Sequence, residues 1–210
     1  MGLYKRHVIP WMLDLSMRQK VLRPFRERVI GAAEGRVLEI GVGSGLNLPL
    51  YRGNVRSVVG LEPSPELLRM ANRKATAASV PVEFLESSAE AVPLEDDSVD
   101  TVVTTWTLCT IPDVDRALGE VRRVLRPGGS LLFVEHGRAP EPGVARWQDR
   151  LDPIWSRLAG GCHLNRQIDS LIGKAGFRFV NMQTTRIPGP RTHTFLYEGL
   201  ARASKAGRSS

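Results

Sequence analysis

The chain has very little cysteine and histidine. Only two cysteines occur in 210 residues, Cys109 and Cys162, and they form no C-x-x-C pair. The four histidines include no H-E-x-x-H. Neither a disulfide framework nor a zinc site is indicated, so no metal is expected and a reducing, cytoplasmic setting is the default. Long apolar runs are also missing. None reaches the roughly 20 residues that span a bilayer, and no signal-peptide layout is visible. No internal repeat is present. Aromatic residues make up 6% of the chain and are not interleaved with basic ones across a core stretch, which argues against nucleic acid as a partner.

The charge that is present is uneven. The net charge is +7, but residues 1–36 hold eight Lys/Arg against three Asp/Glu, and residues 186–210 hold five against one. The middle is left slightly acidic, with 16 basic and 18 acidic residues. Basic ends fit peripheral contact with an anionic membrane surface; the plainer reading of the last ten residues is solvated charge on a loose tail. From Pro10 onward apolar residues recur at spacings of three and four, which predicts one or two amphipathic helices interrupted near Pro24. Residues 1–34 therefore read as an N-terminal lid or amphipathic segment, 35–201 as one domain, and 202–210 as a basic flexible tail.

The stretch that organises the domain is Arg36 to Gly45, RVLEIGVGSG. Its apolar run, bounded by glycine, reads as a buried strand, and LNLPLY after it as the opening of a helix. A strand, a glycine turn and a helix start form an anion- and nucleotide-binding corner. The spacing is G-x-G-x-G (Gly41, Gly43, Gly45), not the dinucleotide G-x-G-x-x-G. Glu39, just before the glycines, suits a ligand carrying an ammonium group.

SVVGL is a second strand ending at Glu62-Pro63, about 20 residues past the first glycine, where a nucleotide-binding unit places its ribose-binding acid. Ser64 then caps a helix. Val82–Leu85, VDTVVTT and SLLFVE read as further strands, the last ending at His136, with a helix over Asp113–Leu125 stopped by RPGG. Alternating strands and helices predict an α/β fold with a parallel, doubly wound sheet, whose ligand sits beyond the strands' carboxyl ends. In the last third, Trp147–Leu158 and Leu164–Ala175 read as helices, and FRFVNMQTTRI and THTFLYEGLA as an antiparallel hairpin.

VLEIGVGSG, VVGLEPS, AEAVPLEDDSVDTVV and LGEVRRVLRPGGSLLFVEH follow one another as the motifs of class I S-adenosylmethionine (AdoMet) methyltransferases do. The chain resembles that superfamily, nearest its ubiquinone/menaquinone-type branch. The resemblance implies a Rossmann-like seven-stranded sheet with a C-terminal antiparallel hairpin. LDPIW, GCHLNR and RTH, together with Thr105, Leu108 and Cys109, resemble the membrane-associated alkyl-thiol methyltransferases of animals. Bacterial phospholipid N-methyltransferases share the GVGSGLNLPLY-like opening. By this resemblance the cofactor is AdoMet and the product S-adenosylhomocysteine. Gly41, Gly43, Gly45 and the adjoining Asn47 would approach its methionine and ribose part, and Glu39 its amino group. Glu62, with Pro63, would take the ribose hydroxyls. Ser88, Ala89 and Glu90 would flank adenine, with serine where many members have Asp. Thr105 and Leu108 would lie near the sulfonium.

Methyl transfer needs an aligned acceptor with a free lone pair and little else from the protein. A thiol must first lose its proton, which a base or cation assists. The candidate helpers are His136 at a strand's carboxyl end, His7 in the lid and Asp152. Asp152, before Pro153, reads more readily as a helix cap. Trp106, Trp155, Arg191 and His193 are candidates for the acceptor side, while Cys109 and Cys162 read as small buried hydrophobes. The expected acceptor is a small apolar molecule, a thiol first and a phospholipid or quinone second. A non-catalytic AdoMet- or lipid-surface module and a dinucleotide oxidoreductase are the readings from other classes. The sequence carries no signal for an oligomeric state.

Overall fold

The computed structural model describes residues 9–204; His7 and most of the basic tail lie outside the described residues. One seven-stranded sheet forms the centre. Its strands are β1 (Gly35–Ile40), β2 (Val55–Leu61), β3 (Val82–Leu85), β4 (Val99–Thr105), β5 (Leu125–His136), β6 (Phe177–Arg186) and β7 (Phe195–Ala203). The spatial order is β3-β2-β1-β4-β5-β7-β6. The first five strands are parallel, and β7 runs antiparallel to both β5 and β6. Strand order reverses between β1 and β4, so a crevice opens at their carboxyl ends.

Alternation along the strands sorts the core onto two faces. Leu38, Ile40, Val102, Leu131 and Phe133 point to one face, where α4 (Val114–Val124) and α6 (Ile168–Lys174) contribute Leu118, Val121 and Ile172. Val37, Val58, Val103, Leu132 and Val134 point to the other, with Val29 and Ile30 of α2 (Arg23–Gly31) and Leu68 and Ala71 of α3 (Pro65–Ala75). Successive side chains on a strand face opposite ways, so Glu39 falls on the same face as Val37, beneath α2.

The cap expected at Ser64 is present, and Asp113 adds another. Ser64 Oγ accepts from Leu67 N, and the Asp113 carboxylate accepts from Arg116 N. Several boundaries differ from the sequence reading: the helix expected from Trp147 begins at Pro142, α6 begins at Ile168 instead of Leu164, and β5 already starts at Leu125. The N-terminal helices, α1 (Ile9–Met17) and α2, part at residues 18–22, and Pro24 opens α2 instead of breaking it, since an N-terminal proline gives up no intrahelical bond. α2 packs on the sheet through Val29 and Ile30. β7 runs on to Ala203, past the expected end of the domain.

The largest difference lies after the glycines. No α-helix follows there, only a 3₁₀ turn over Leu48–Leu50. Asn47 and Tyr51 both turn their side chains inward to Glu39, and Gly53 (φ +69°) reverses the chain. These pins allow a single tight turn.

Candidate active site

Gly41, Gly43 and Gly45 all have positive φ (68°, 55° and 76°), a backbone that only glycine adopts cheaply. They differ in what surrounds them. A Cβ on Gly41 would lie 2.5 Å from Thr107, and one on Gly45 2.8 Å from Leu48, whereas a Cβ on Gly43 would meet nothing nearer than 3.8 Å. Gly41 and Gly45 are packed against protein, and Gly43 faces open space.

Glu62 leans into that space from the end of β2. One carboxylate oxygen accepts from Gly43 N at 3.2 Å and the other from Ser64 N at 3.0 Å. Burial pushes its pKa up, partly offset by the two amides. Each oxygen keeps a lone pair for a further donor. Pro63 starts the turn into α3.

Glu39 is deeper. It is 1% exposed, and its oxygens accept from Asn47 Nδ2 (2.7 Å) and Tyr51 Oη (2.9 Å). Asn47 also donates to Thr105 Oγ1 and accepts from Arg26 of α2. Burial raises the Glu39 pKa to about 7 despite these bonds. Glu39 and Asn47 thus form an internal brace under the corner, tying α2 to β1 and β4.

The β4 end is held by Glu135, a residue the sequence reading passed over. It is fully buried, and its carboxylate accepts from the amides of Thr107 (3.2 Å) and Leu108 (3.1 Å). Burial raises its pKa to about 7 as well. Arg166 donates to the Leu108 carbonyl. Leu108, expected near the sulfonium, therefore has its side chain in the core and both backbone groups engaged. It anchors the loop that a ligand would touch.

Ser88 donates to the Glu90 carboxylate, which also accepts from Asp113 N (2.9 Å) at the start of α4, while Ala89 is in the core. These bonds hold the Glu90 pKa low. Over the glycine loop, Ser44 donates to Asp14 of α1, and Lys74 of α3 donates to both. Burial pushes the Asp14 carboxyl up, but the bonds from Ser44, Lys74 and Arg18 outweigh it and its pKa falls. A single carboxylate thus fastens α1 onto the corner, a contact with no local sequence signal.

The acceptor-side candidates divide. Trp106, at positive φ (53°), lies under the Arg26 guanidinium on the α2 side. Trp155 of α5 (Pro142–Leu158) meets the His193 ring edge-on at 4.3 Å. Arg191 is an exposed surface residue paired with Glu141. Asp152 is no helix cap. It sits inside α5, and its oxygens bind His163 Nδ1 (2.8 Å) and accept from Leu164 N (2.6 Å), fixing the loop after α5.

His136 is 5% exposed, with Nδ1 3.9 Å from Cys162 Sγ and no hydrogen-bond partner for Nε2. Cys162 Sγ lies 3.5 Å from Cys109 Sγ. The cysteines are therefore not scattered core filler. The bond to Cys162 and burial push the Cys109 thiol up, while the bond to Cys109 and the neighbouring His136 draw the Cys162 thiol down.

The model of the "Methyltransferase domain" family matches residues 38–133, from β1 to β5. The phosphatidylethanolamine N-methyltransferase of Cereibacter sphaeroides is 36% identical over 159 residues, 70% of this chain and 76% of that protein. The chain belongs to the class I methyltransferases. The chain is also 34% identical over 157 residues to the thiol S-methyltransferase TMT1B of Rattus norvegicus, covering 71% of this chain and 63% of that one. It spans less than two thirds of that relative's length. The structure of YcgJ from Bacillus subtilis shares the fold at a TM-score of 0.69 and 19% identity, covering 88% of this chain and all of that one. Among the described residues, no helix is long and apolar enough to cross a membrane.

Proposed function

We propose that the chain transfers a methyl group from AdoMet to a small apolar acceptor, with a thiol sulfur as the first choice. The observation that carries the reading is Glu62, a buried carboxylate with spare lone pairs, facing the open turn at Gly43. The residues present fit AdoMet there: Glu62 would accept from the ribose hydroxyls, and Gly43 leaves room for the nucleoside. Ser88 and Glu90 would border adenine. AdoMet, when bound, supplies a methyl group activated on a sulfonium. Thr105 and the loop held by Glu135 would fix the direction of approach, and α1, latched by Asp14, would exclude water.

A thiol is preferred because a thiol S-methyltransferase is among the relatives at 34% identity, and LDPIW, GCHLNR and RTH resemble stretches of the alkyl-thiol methyltransferases. The similarity to the phosphatidylethanolamine N-methyltransferase makes a lipid amine the second reading, and α1 supports it. Trp11, Met12 and Leu15 are exposed, with Arg18, Lys20 and Arg23 close behind, as suits a peripheral membrane contact. S-adenosylhomocysteine release is the test, with alkyl thiols, phosphatidylethanolamine vesicles and quinol precursors as acceptors. Turnover with thiols is expected, rising with pH toward the acceptor's pKa. Release with no acceptor of any class would reject the enzyme reading. Sedimentation with anionic liposomes tests the membrane contact; none is expected if α1 serves only as a lid.

A further inference from the structure

Three soft ligands converge where the sequence showed none. Cys109 comes from the loop after β4, His136 from the end of β5, and Cys162 from the loop between α5 and α6. One ligating atom from each lies within 4.8 Å of the other two. We propose that Cys109, His136 and Cys162 bind one soft divalent cation of the zinc class. Its fourth position would open toward Trp155 and His193, to the sulfur of the acceptor.

The spacing is the first argument. Tetrahedral zinc with sulfur at about 2.3 Å and nitrogen at about 2.0–2.1 Å sets S···S near 3.8 Å and S···N near 3.6 Å. The observed 3.5 Å between sulfurs and 3.9 Å between Cys162 Sγ and His136 Nδ1 differ from these by a few tenths of an ångström, and the third side of the triangle lies within 4.8 Å. His136 supplies the second argument. It is almost wholly buried, its Nδ1 has only the Cys162 sulfur beside it, and its Nε2 has no hydrogen-bond partner. Burying an imidazole this way is costly unless it has another ligand.

The framework is also rigid. His163 N donates to the Cys109 carbonyl at 2.8 Å, joining the two cysteine loops, and Asp152 fixes the residues that follow. Arg166 lies close enough for its charge to act on both cysteines. Cys162 and His193 are only half-buried, which leaves an entry side.

A divalent ion would be neutralised by two thiolates, their protons passing to water. An acceptor thiol entering the fourth position would lose its proton to solvent and keep its sulfur lone pair for the methyl carbon. This second role rests on the methyl-transfer reading above; the ion site does not.

The test is a cobalt titration of the full chain, stripped with a chelator and kept in a phosphine reductant. Saturation at one ion per chain is expected, with thiolate-to-cobalt charge-transfer and tetrahedral bands that zinc displaces. Cys162→Ser, checked for fold by circular dichroism, should lose the charge-transfer intensity and bind at least tenfold more weakly. An alkyl thiol should shift the bands of the loaded protein. Absent bands, or bands unchanged in Cys162→Ser, would overturn the site. So would an intact mass showing a Cys109–Cys162 disulfide in the freshly purified chain. Bands indifferent to thiol would overturn the open position. AdoMet binding is measured on the same samples. Binding without a cobalt signal sinks the ion site alone, and a cobalt signal with neither AdoMet binding nor turnover sinks the methyl-transfer reading alone.

Discussion

The crevice at β1 and β4 and the cluster at Cys162 are built in opposite ways. The crevice comes from neighbours in sequence: Gly43 and Glu62 are 19 residues apart and meet because β1 and β2 pair in parallel. The cluster draws residues 109, 136 and 162 from three loops and strand ends that only the finished fold brings together. One region is written in local spacing, the other in topology, and substitutions should separate them.

The largest effect is expected at Gly43. Gly43→Ala meets no neighbour, so its cost to folding is that of a positive φ, about 1–2 kcal/mol. The added methyl would instead project into the nucleoside's space and lower AdoMet affinity by more than the stability change. Calorimetric titration beside thermal melts checks this; equal losses would mean that Gly43 is only a turn residue.

Asp152→Ala should act on the other region. It strips Leu164 N and His163 of their acceptor, costing about 1–3 kcal/mol of stability. It should raise KM for the acceptor and leave AdoMet affinity unchanged. A weaker AdoMet complex would show that the two regions are not separate.

Next comes pH. The Glu39 carboxyl, ordinarily near 4.5, is held at about 7 by burial, with Arg26, Asn47 and Tyr51 around it. Between those values the unfolded chain has released a proton that the folded chain keeps. Stability should therefore fall as pH rises from about 4.5 to 7, by on the order of 2–3 kcal/mol for this group. Glu135 adds a slope of the same sign. Glu39→Gln should flatten the dependence in chemical melts without abolishing it; an unaltered slope would exclude Glu39 as its source.

The smallest effect is expected at Arg191, an exposed partner of Glu141. Arg191→Ala should change stability by less than about 0.5 kcal/mol and leave turnover unchanged. A raised KM would restore it to the acceptor side.

The sheet, its hairpin, the glycine corner and Glu62 were legible because each is signalled within a short window by period, glycine spacing or capping. The missing helix after Gly45 was not, because its leucines suggest a helix that Pro49, Gly53 and the inward-turned Asn47 and Tyr51 reduce to one 3₁₀ turn. Asp152 precedes a proline, which mimics a helix start, yet α5 begins ten residues earlier and carries Pro153 within it. The Asp14 latch and the role of Glu135 join residues 27 to 60 positions apart in sequence and leave no periodic trace. The cysteines looked inert because spacing rules find metal sites only when ligands lie close along the chain.

The account's central claim is most directly tested by calorimetric titration of AdoMet into the wild-type chain and into Glu62→Ala. The expected result is one molecule bound per wild-type chain, with affinity reduced by about 1–3 kcal/mol in the variant, the worth of hydrogen bonds to a charged group. No binding to the wild type, or equal binding to both, would contradict it.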